Sequence, residues 1–377
     1  MRRGSGTTVT WGSGAALLIG GTFLLTAHGA DLDLEQLPPI WFRTTSVETG
    51  VGYKDNVLLS SGAPQASAFI ATGLDYYLVR PPLDGWQYQF LLTGNDRRFL
   101  SANGVDGEQL VIAQAQAKKD WSPAWQATLP VEFLYQNQVL DVSPTESDLH
   151  IVRAQAQIVQ TRPAVRRTIA SRAWLELSFP VGRYLYHRPL DDYWEGGSKL
   201  TFGQSYGRKS EWTLSYAYGD RRYDTRLTTT ADGVPLAGTH LEFQSHRVEL
   251  AWRHNWDQAH RWRTTTRLAG GWNRDKGSGF FDYRQLVASE QVRYTGKSWE
   301  LSADVRFSHY SYPIQTLRLT DSTKLGRWEA TATLRCERRL ADWLKLFAEY
   351  EHNRVESRAS FEEYSVNTVT SGVIWEF

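Results

Sequence analysis

Trp299-Glu300-Leu301-Ser302-Ala303-Asp304-Val305-Arg306-Phe307-Ser308 alternates apolar and polar side chains without a break. A period of two sends successive side chains to opposite faces of an extended chain. This stretch therefore reads as a strand, with Trp299, Leu301, Ala303, Val305 and Phe307 on one face and the charges on the other. The same phase continues in Trp328, Ala330, Ala332, Leu334 and Cys336 against Glu329, Thr331, Thr333, Arg335 and Glu337. It recurs from Trp125 to Tyr135, from Trp86 to Leu92 and from Trp212 to Tyr218. These segments run about ten to fifteen residues, which is long for soluble strands and suits tilted strands that cross a bilayer.

Most apolar faces begin or end on Trp, Tyr or Phe. Strands that cross two membrane interfaces carry such aromatic girdles. This accounts for 16 Trp and 13% aromatics in a chain whose mean hydropathy is only −0.46. With 42 Lys and Arg against 41 Asp and Glu, no net charge favours nucleic acid. One Cys among 377 residues excludes an intramolecular disulfide.

Short turns are read at Pro81 to Asp84, Lys119 to Pro123, Arg162 to Pro163, Gly207 to Ser210, Trp256 to His260, Thr295 to Lys297 and Leu340 to Asp342. They alternate with longer polar connections, at Asp55 to Gln65, Asn95 to Glu108, Gln138 to Asp148, Arg188 to Asp192, Arg221 to Thr239, Asn273 to Gly279, Tyr310 to Lys324 and Asn353 to Glu363. Fifteen connections predict sixteen strands. The fold class expected is all-β, an antiparallel up-and-down transmembrane barrel with both termini at one end. Less regular alternation at Arg166 to Tyr206 and Phe280 to Tyr294 leaves fourteen strands as the other reading.

The first thirty residues have the layout of a cleaved secretory signal: Arg2 and Arg3, an apolar run from Ala15 to Ala27, then small residues at Gly29 and Ala30. The expected organisation is a signal peptide over 1–30, a periplasmic segment over 31–44 and the barrel over 45–377. Export by such a signal, together with the expected barrel, predicts the bacterial outer membrane, with its lipids as partners.

The chain ends Val369, Ser371, Val373, Trp375, Phe377 on one strand face. This resembles the C-terminal targeting strand of Gram-negative outer-membrane β-barrel proteins, which closes on Phe with aromatic or aliphatic residues at alternate preceding positions. The resemblance implies recognition by the barrel-assembly machinery, with Val373, Trp375 and Phe377 as the signal. Gly50-Val51-Gly52-Tyr53-Lys54-Asp55-Asn56-Val57 is similar to the opening hairpin of poorly characterised barrel families, some linked to polysaccharide export or surface-protein assembly.

With the apolar faces toward lipid, the alternate positions line a lumen. The middle strands are expected to contribute Arg153, Arg172, Arg247, Arg253, Arg263 and Arg267, and later strands Glu300, Asp304, Glu329, Glu337, Glu349 and Glu351. Opposed walls of unlike charge would set a transverse field across a pore. The competing reading is cross-strand pairing of these charges, through Asp304, Arg306 and Arg335, that merely fills the interior. The leading functional expectation is a porin-like passive channel for small polar solutes, and the alternative is a non-enzymatic barrel in a surface-polymer export or assembly system. No Gly-x-Ser-x-Gly elbow, His-Glu-x-x-His or phosphate loop occurs, so no enzyme, cofactor or metal site is expected. His240 and His246, six residues apart on a strand, would be separated by about 20 Å, too far to share a metal.

Overall fold

A computed structural model describes residues 41–142, 151–187, 189–207, 209–318, 321–359 and 362–377. The expected signal peptide lies outside them. Sixteen strands are formed among the described residues: β1 (Phe42–Lys54), β2 (Ser67–Leu83), β3 (Trp86–Phe99), β4 (Gly107–Ser122), β5 (Trp125–Asp141), β6 (Ile151–Thr161 with Ala164–Ala170), β7 (Ala173–Ser178 with Val181–Tyr186) and β8 (Tyr193–Tyr206). The second half comprises β9 (Ser210–Tyr223), β10 (Glu242–Asn255), β11 (Trp262–Asp275), β12 (Tyr283–Thr295), β13 (Trp299–Arg318), β14 (Asp321–Ala341), β15 (Leu344–Ser357) and β16 (Tyr364–Glu376). Each strand pairs antiparallel with its sequence neighbours. β16 returns to β1 in a register running from Ser46 opposite Glu376 to Lys54 opposite Thr368, which closes the barrel.

The turn expected at Arg162 to Pro163 is instead an interruption within β6. Proline has no N–H for the ladder, so the strand breaks at Pro163 and β7 breaks beside it at Pro180. The carbonyls of both prolines are still used, accepting from Phe179 N at 2.9 Å and Gly197 N at 2.9 Å. The chain reverses at Ser171 and Arg172 instead. The strand count stays at sixteen, and β1 begins at Phe42, three residues before the expected start of the barrel.

Short turns gather at one end and longer connections at the other. At the turn end, Asp84 and Gly85 both have positive φ, 52° and 72°. That pair of conformations makes the tight hairpin whose twist matches its strands. At the closing seam Gly372 has no room for a side chain, because a Cβ there would overlap the Thr49 carbonyl and Gly50. Phe377 N donates to Thr45 O at 2.8 Å, so the last residue is stitched onto the first strand.

Apolar side chains face outward. Leu301, Phe307, Trp328, Leu334, Leu129 and Val131 are all exposed, on the faces that the alternation assigned to lipid. Trp86, Trp125, Trp262, Trp299 and Trp343 stand at or near the turn end, and Tyr53, Trp272 and Trp328 toward the loop end. A belt of aliphatic side chains between two aromatic rows is stable in hydrocarbon and not in water.

Candidate functional site

The interior holds a cavity of 490 Å³ that touches both the β1–β6 and the β9–β13 walls. Eleven carboxylate residues and six Lys or Arg are among its lining. Of the expected lumen residues, Arg247, Glu349 and Glu351 line it directly. Alternation against the exposed Trp252, Trp262, Leu268, Leu301 and Trp328 turns Arg253, Arg263, Arg267, Glu300, Asp304, Glu329 and Glu337 inward as well.

Two residues expected in the lumen are not there. Arg172 sits in the exposed turn between β6 and β7, because the reversal falls at that position. Arg153 points outward, hydrogen-bonded to Asn137 Oδ1 at 3.0 Å and to Asp106 Oδ1 at 2.7 Å. The Asp106 carboxyl, in the β3–β4 loop, is held below its ordinary range by that hydrogen bond from Arg153. The reason for the reversal lies in the β5–β6 hairpin. β5 leaves β4 after Asn137, and β6 leaves β7 before Ala156, while the two remain paired to Asp141 opposite Ile151. The freed tip leans into the barrel mouth. Its inner face is apolar, with Ala154, Ala156 and Ile158 buried, and its outer face carries Arg153, Gln155 and Gln157.

The tip reaches the far wall. Asp141 at the end of β5 forms an ion pair with Arg327 of β14, both side chains only 2% exposed. β5 and β14 stand seven strands apart by the shorter way round, one short of opposite. Val139 joins Val355, Tyr364 and Val366 of that far wall in one apolar cluster. The β1–β2 loop enters the same cluster through Val57 and Leu59. Leu59 holds a φ of 54°, a conformation that non-glycine residues keep only where packing fixes it. Asn56 secures this loop, donating to Ser60 O at 2.8 Å and accepting from Ser60 N at 2.9 Å.

The other side of the mouth is aromatic. Tyr184 and Tyr193 stack at 4.3 Å, and Tyr223, Phe243 and Phe281 continue the cluster. Asp275 aims Phe281 inward by accepting the backbone N–H groups of Gly277, Gly279 and Phe281 at 2.7 to 2.9 Å. Arg221 crosses this wall, 4.4 Å from the Tyr193 ring and bonded to Glu195 Oε2 at 2.7 Å. The long connection expected at Arg221 to Thr239 starts later, because β9 runs to Tyr223, and its last residue before β10 is tucked inward: Leu241 is fully buried. These tyrosines occupy inward positions of their strands, so an aromatic at a lumen-facing position was the available signal. No sequence signal links Asp141 to Arg327.

The two readings of the charged arcs divide the lumen between them. On the acidic side Arg335 binds Glu48 at 2.6 Å, Glu337 at 2.9 Å and Glu349 at 3.1 Å. Lys345 binds Glu376, Glu337 and Glu300 at 2.7, 3.4 and 3.6 Å. Asp304 accepts from Gln291 at 2.8 Å. On the basic side Arg253 meets Glu211 and Arg247 meets Glu249. Arg267 faces inward and is exposed, and so is Asp75 on β2, seven strands away. An inward side chain can be exposed only where the lumen holds solvent.

Among the described residues no cluster of His, Cys, Asp and Glu is placed to hold a metal. His246 turns outward and stacks on Trp272, ring centres 5.0 Å apart.

No family model matches the chain, and no curated protein matches its sequence. It resembles the solved structure of OccAB1 of Acinetobacter baumannii at 9% identity, over 89% of this chain and 97% of that one, with a TM-score of 0.46. Against OccK9 (OpdG) of Pseudomonas aeruginosa the identity is 11%, over 89% and 98%, with a TM-score of 0.47. A TodX deltaS2S3 mutant, described as a monoaromatic hydrocarbon channel, gives 12% identity over 91% of each chain and a TM-score of 0.39. At this level the likeness carries no inference about function.

Proposed function

We propose that the chain is an outer-membrane channel for passive passage of small polar solutes, with its loop end outside and its turn end toward the periplasm. The exposed, inward-facing Arg267 and Asp75 on opposing walls carry this reading. They mark a solvated path at mid-height, with unlike charges across it. Such a pair of walls orients a dipolar solute and favours polar over apolar passage. The Asp141–Arg327 bridge and the loop bearing Val57 and Leu59 narrow the mouth. That constriction favours small solutes over a threading polymer, and so the channel over a polymer-export barrel. The outward Val373, Trp375 and Phe377 at the seam would serve the assembly machinery as its recognition edge.

Liposomes carrying the protein should swell in small zwitterionic and charged solutes. Arg263→Ala and Arg267→Ala, which remove cations without an ion-pair partner among the described residues, should slow anionic solutes relative to cationic ones. Swelling no faster than in protein-free liposomes would overturn the channel. Swelling with unchanged charge preference in both variants would overturn the assigned field.

A further inference from the structure

A second cavity, of 550 Å³, lies on the outside of the barrel at the loop end, over β12 to β15. Its floor is made by small outward positions, Ser311 of β13 opposite Gly326 of β14. On its membrane side stand His309 and Trp328, packed edge to face at 4.1 Å. Below that pair the wall is bare aliphatic and aromatic surface, with Leu286 66% and Phe307 52% exposed. On its other side it meets Arg284, Lys324 and Arg358.

The three cations are not equally engaged. Arg358 donates to Lys324 O at 2.8 Å and Lys324 to Ile314 O at 3.0 Å, contacts to neutral carbonyls that bring no counter-charge. The Arg284 side chain has no hydrogen-bond or ion-pair partner among the described residues. Of the two acids at the groove, Glu356 is already paired with Arg354 at 2.6 Å, which leaves the three cations facing Glu363 alone. The groove thus offers a cationic rim above an aromatic step and an apolar wall, at the level where lipid head groups meet the aromatic girdle.

We infer that this groove binds one lipid of the surrounding leaflet whose phosphate-bearing head carries net negative charge. The phosphate would sit against Arg284 and Arg358, which offer planar forks of donors matched to phosphate oxygens. The acyl chains would lie down the face of Phe307 and Leu286. This site is independent of what the lumen conducts and rests only on the outer face meeting lipid.

Gly326 supplies a test that spares the barrel. A Cβ there would meet its nearest neighbour, Arg358 Nε, at an ordinary 3.7 Å, so Gly326→Leu fills the groove without displacing backbone. The experiment is native mass spectrometry of protein released from micelles doped with phosphatidic acid, with phosphatidylcholine, or with inorganic phosphate alone, heat-modifiable gel mobility reporting that each variant is folded. Wild type should retain one phosphatidic acid. Retention should fall about tenfold in Arg284→Ala, as expected for losing one charge-assisted contact, survive largely in Arg284→Lys, and vanish in folded Gly326→Leu. Equal retention by wild type and Gly326→Leu would overturn the site. Equal retention of phosphatidylcholine would overturn the assignment of an anionic lipid. Binding of inorganic phosphate as strong as that of the lipid would make it an anion site and overturn the lipid assignment.

Discussion

Asp141→Ala is expected to raise single-channel conductance severalfold. The carboxylate is the far end of an ion pair that spans the mouth, and both partners are almost wholly buried. Without it, Arg327 keeps Glu329, 2.9 Å from its Nε, as its remaining charged partner. Its Nη1 is buried without a hydrogen bond even with the bridge intact. A buried cation deprived of its counter-charge is costly, and the cost is relieved by letting water in. The hairpin tip can yield because from Gln138 onward β5 pairs with β6 alone. The wall hydrogen bonds are untouched, so folding and heat-modifiable mobility should be unchanged. Asp141→Asn keeps an acceptor and should open the mouth less. Conductance identical to wild type in Asp141→Ala would mean that the tip is not the constriction.

Arg335→Leu should destabilise the barrel by about 3–5 kcal/mol, the usual result of removing one member from a buried charge cluster. Arg335 is 6% exposed and binds carboxylates on β1, β14 and β15 together. Its guanidinium also lies 4.5 Å from the Phe347 ring. Leucine would leave Glu48, Glu337 and Glu349 crowded inside the wall with no cation among them except Lys345, which reaches Glu337 alone of the three. Arg335→Lys restores the charge but not the three-way fork, and should fall between. Arg267→Ala is the internal control: its side chain is exposed and makes no ion pair, so its cost should be under about 0.5 kcal/mol. Unfolding by guanidinium in detergent, followed by tryptophan fluorescence, measures all three. Similar midpoints for Arg335→Leu and Arg267→Ala would show that the cluster does not hold the seam region together.

How far the sequence reaches is clear from particular residues. Alternation from Trp299 to Ser308 was enough to orient β13, and the same phase oriented most of the wall, because one face meets lipid and the other water. Proline defeated the pattern at Arg162 and Pro163, where a missing N–H interrupts a strand without reversing it. Arg153 was placed inward because the barrel rule assumes lipid outside. At the β5–β6 tip the outside is water and the inside is packed, so polarity inverts. The Asp141–Arg327 pair joins residues 186 positions apart, and their meeting depends on barrel closure and on where a hairpin leaves its neighbours, neither of which has a local signature. Cross-strand pairing through Arg335 is legible from alternation, since Glu337 shares its strand and Glu349 stands opposite it on β15, but its third carboxylate, Glu48, joins only because β1 closes the barrel.

Planar-bilayer recording of the unmodified protein tests the central claim most directly. A solvated lumen narrowed by the Asp141–Arg327 bridge predicts discrete conductance steps that are small for a sixteen-stranded barrel and that grow in Asp141→Ala. Correctly inserted, heat-modifiable protein that gives no steps, either as wild type or as Asp141→Ala, would contradict it.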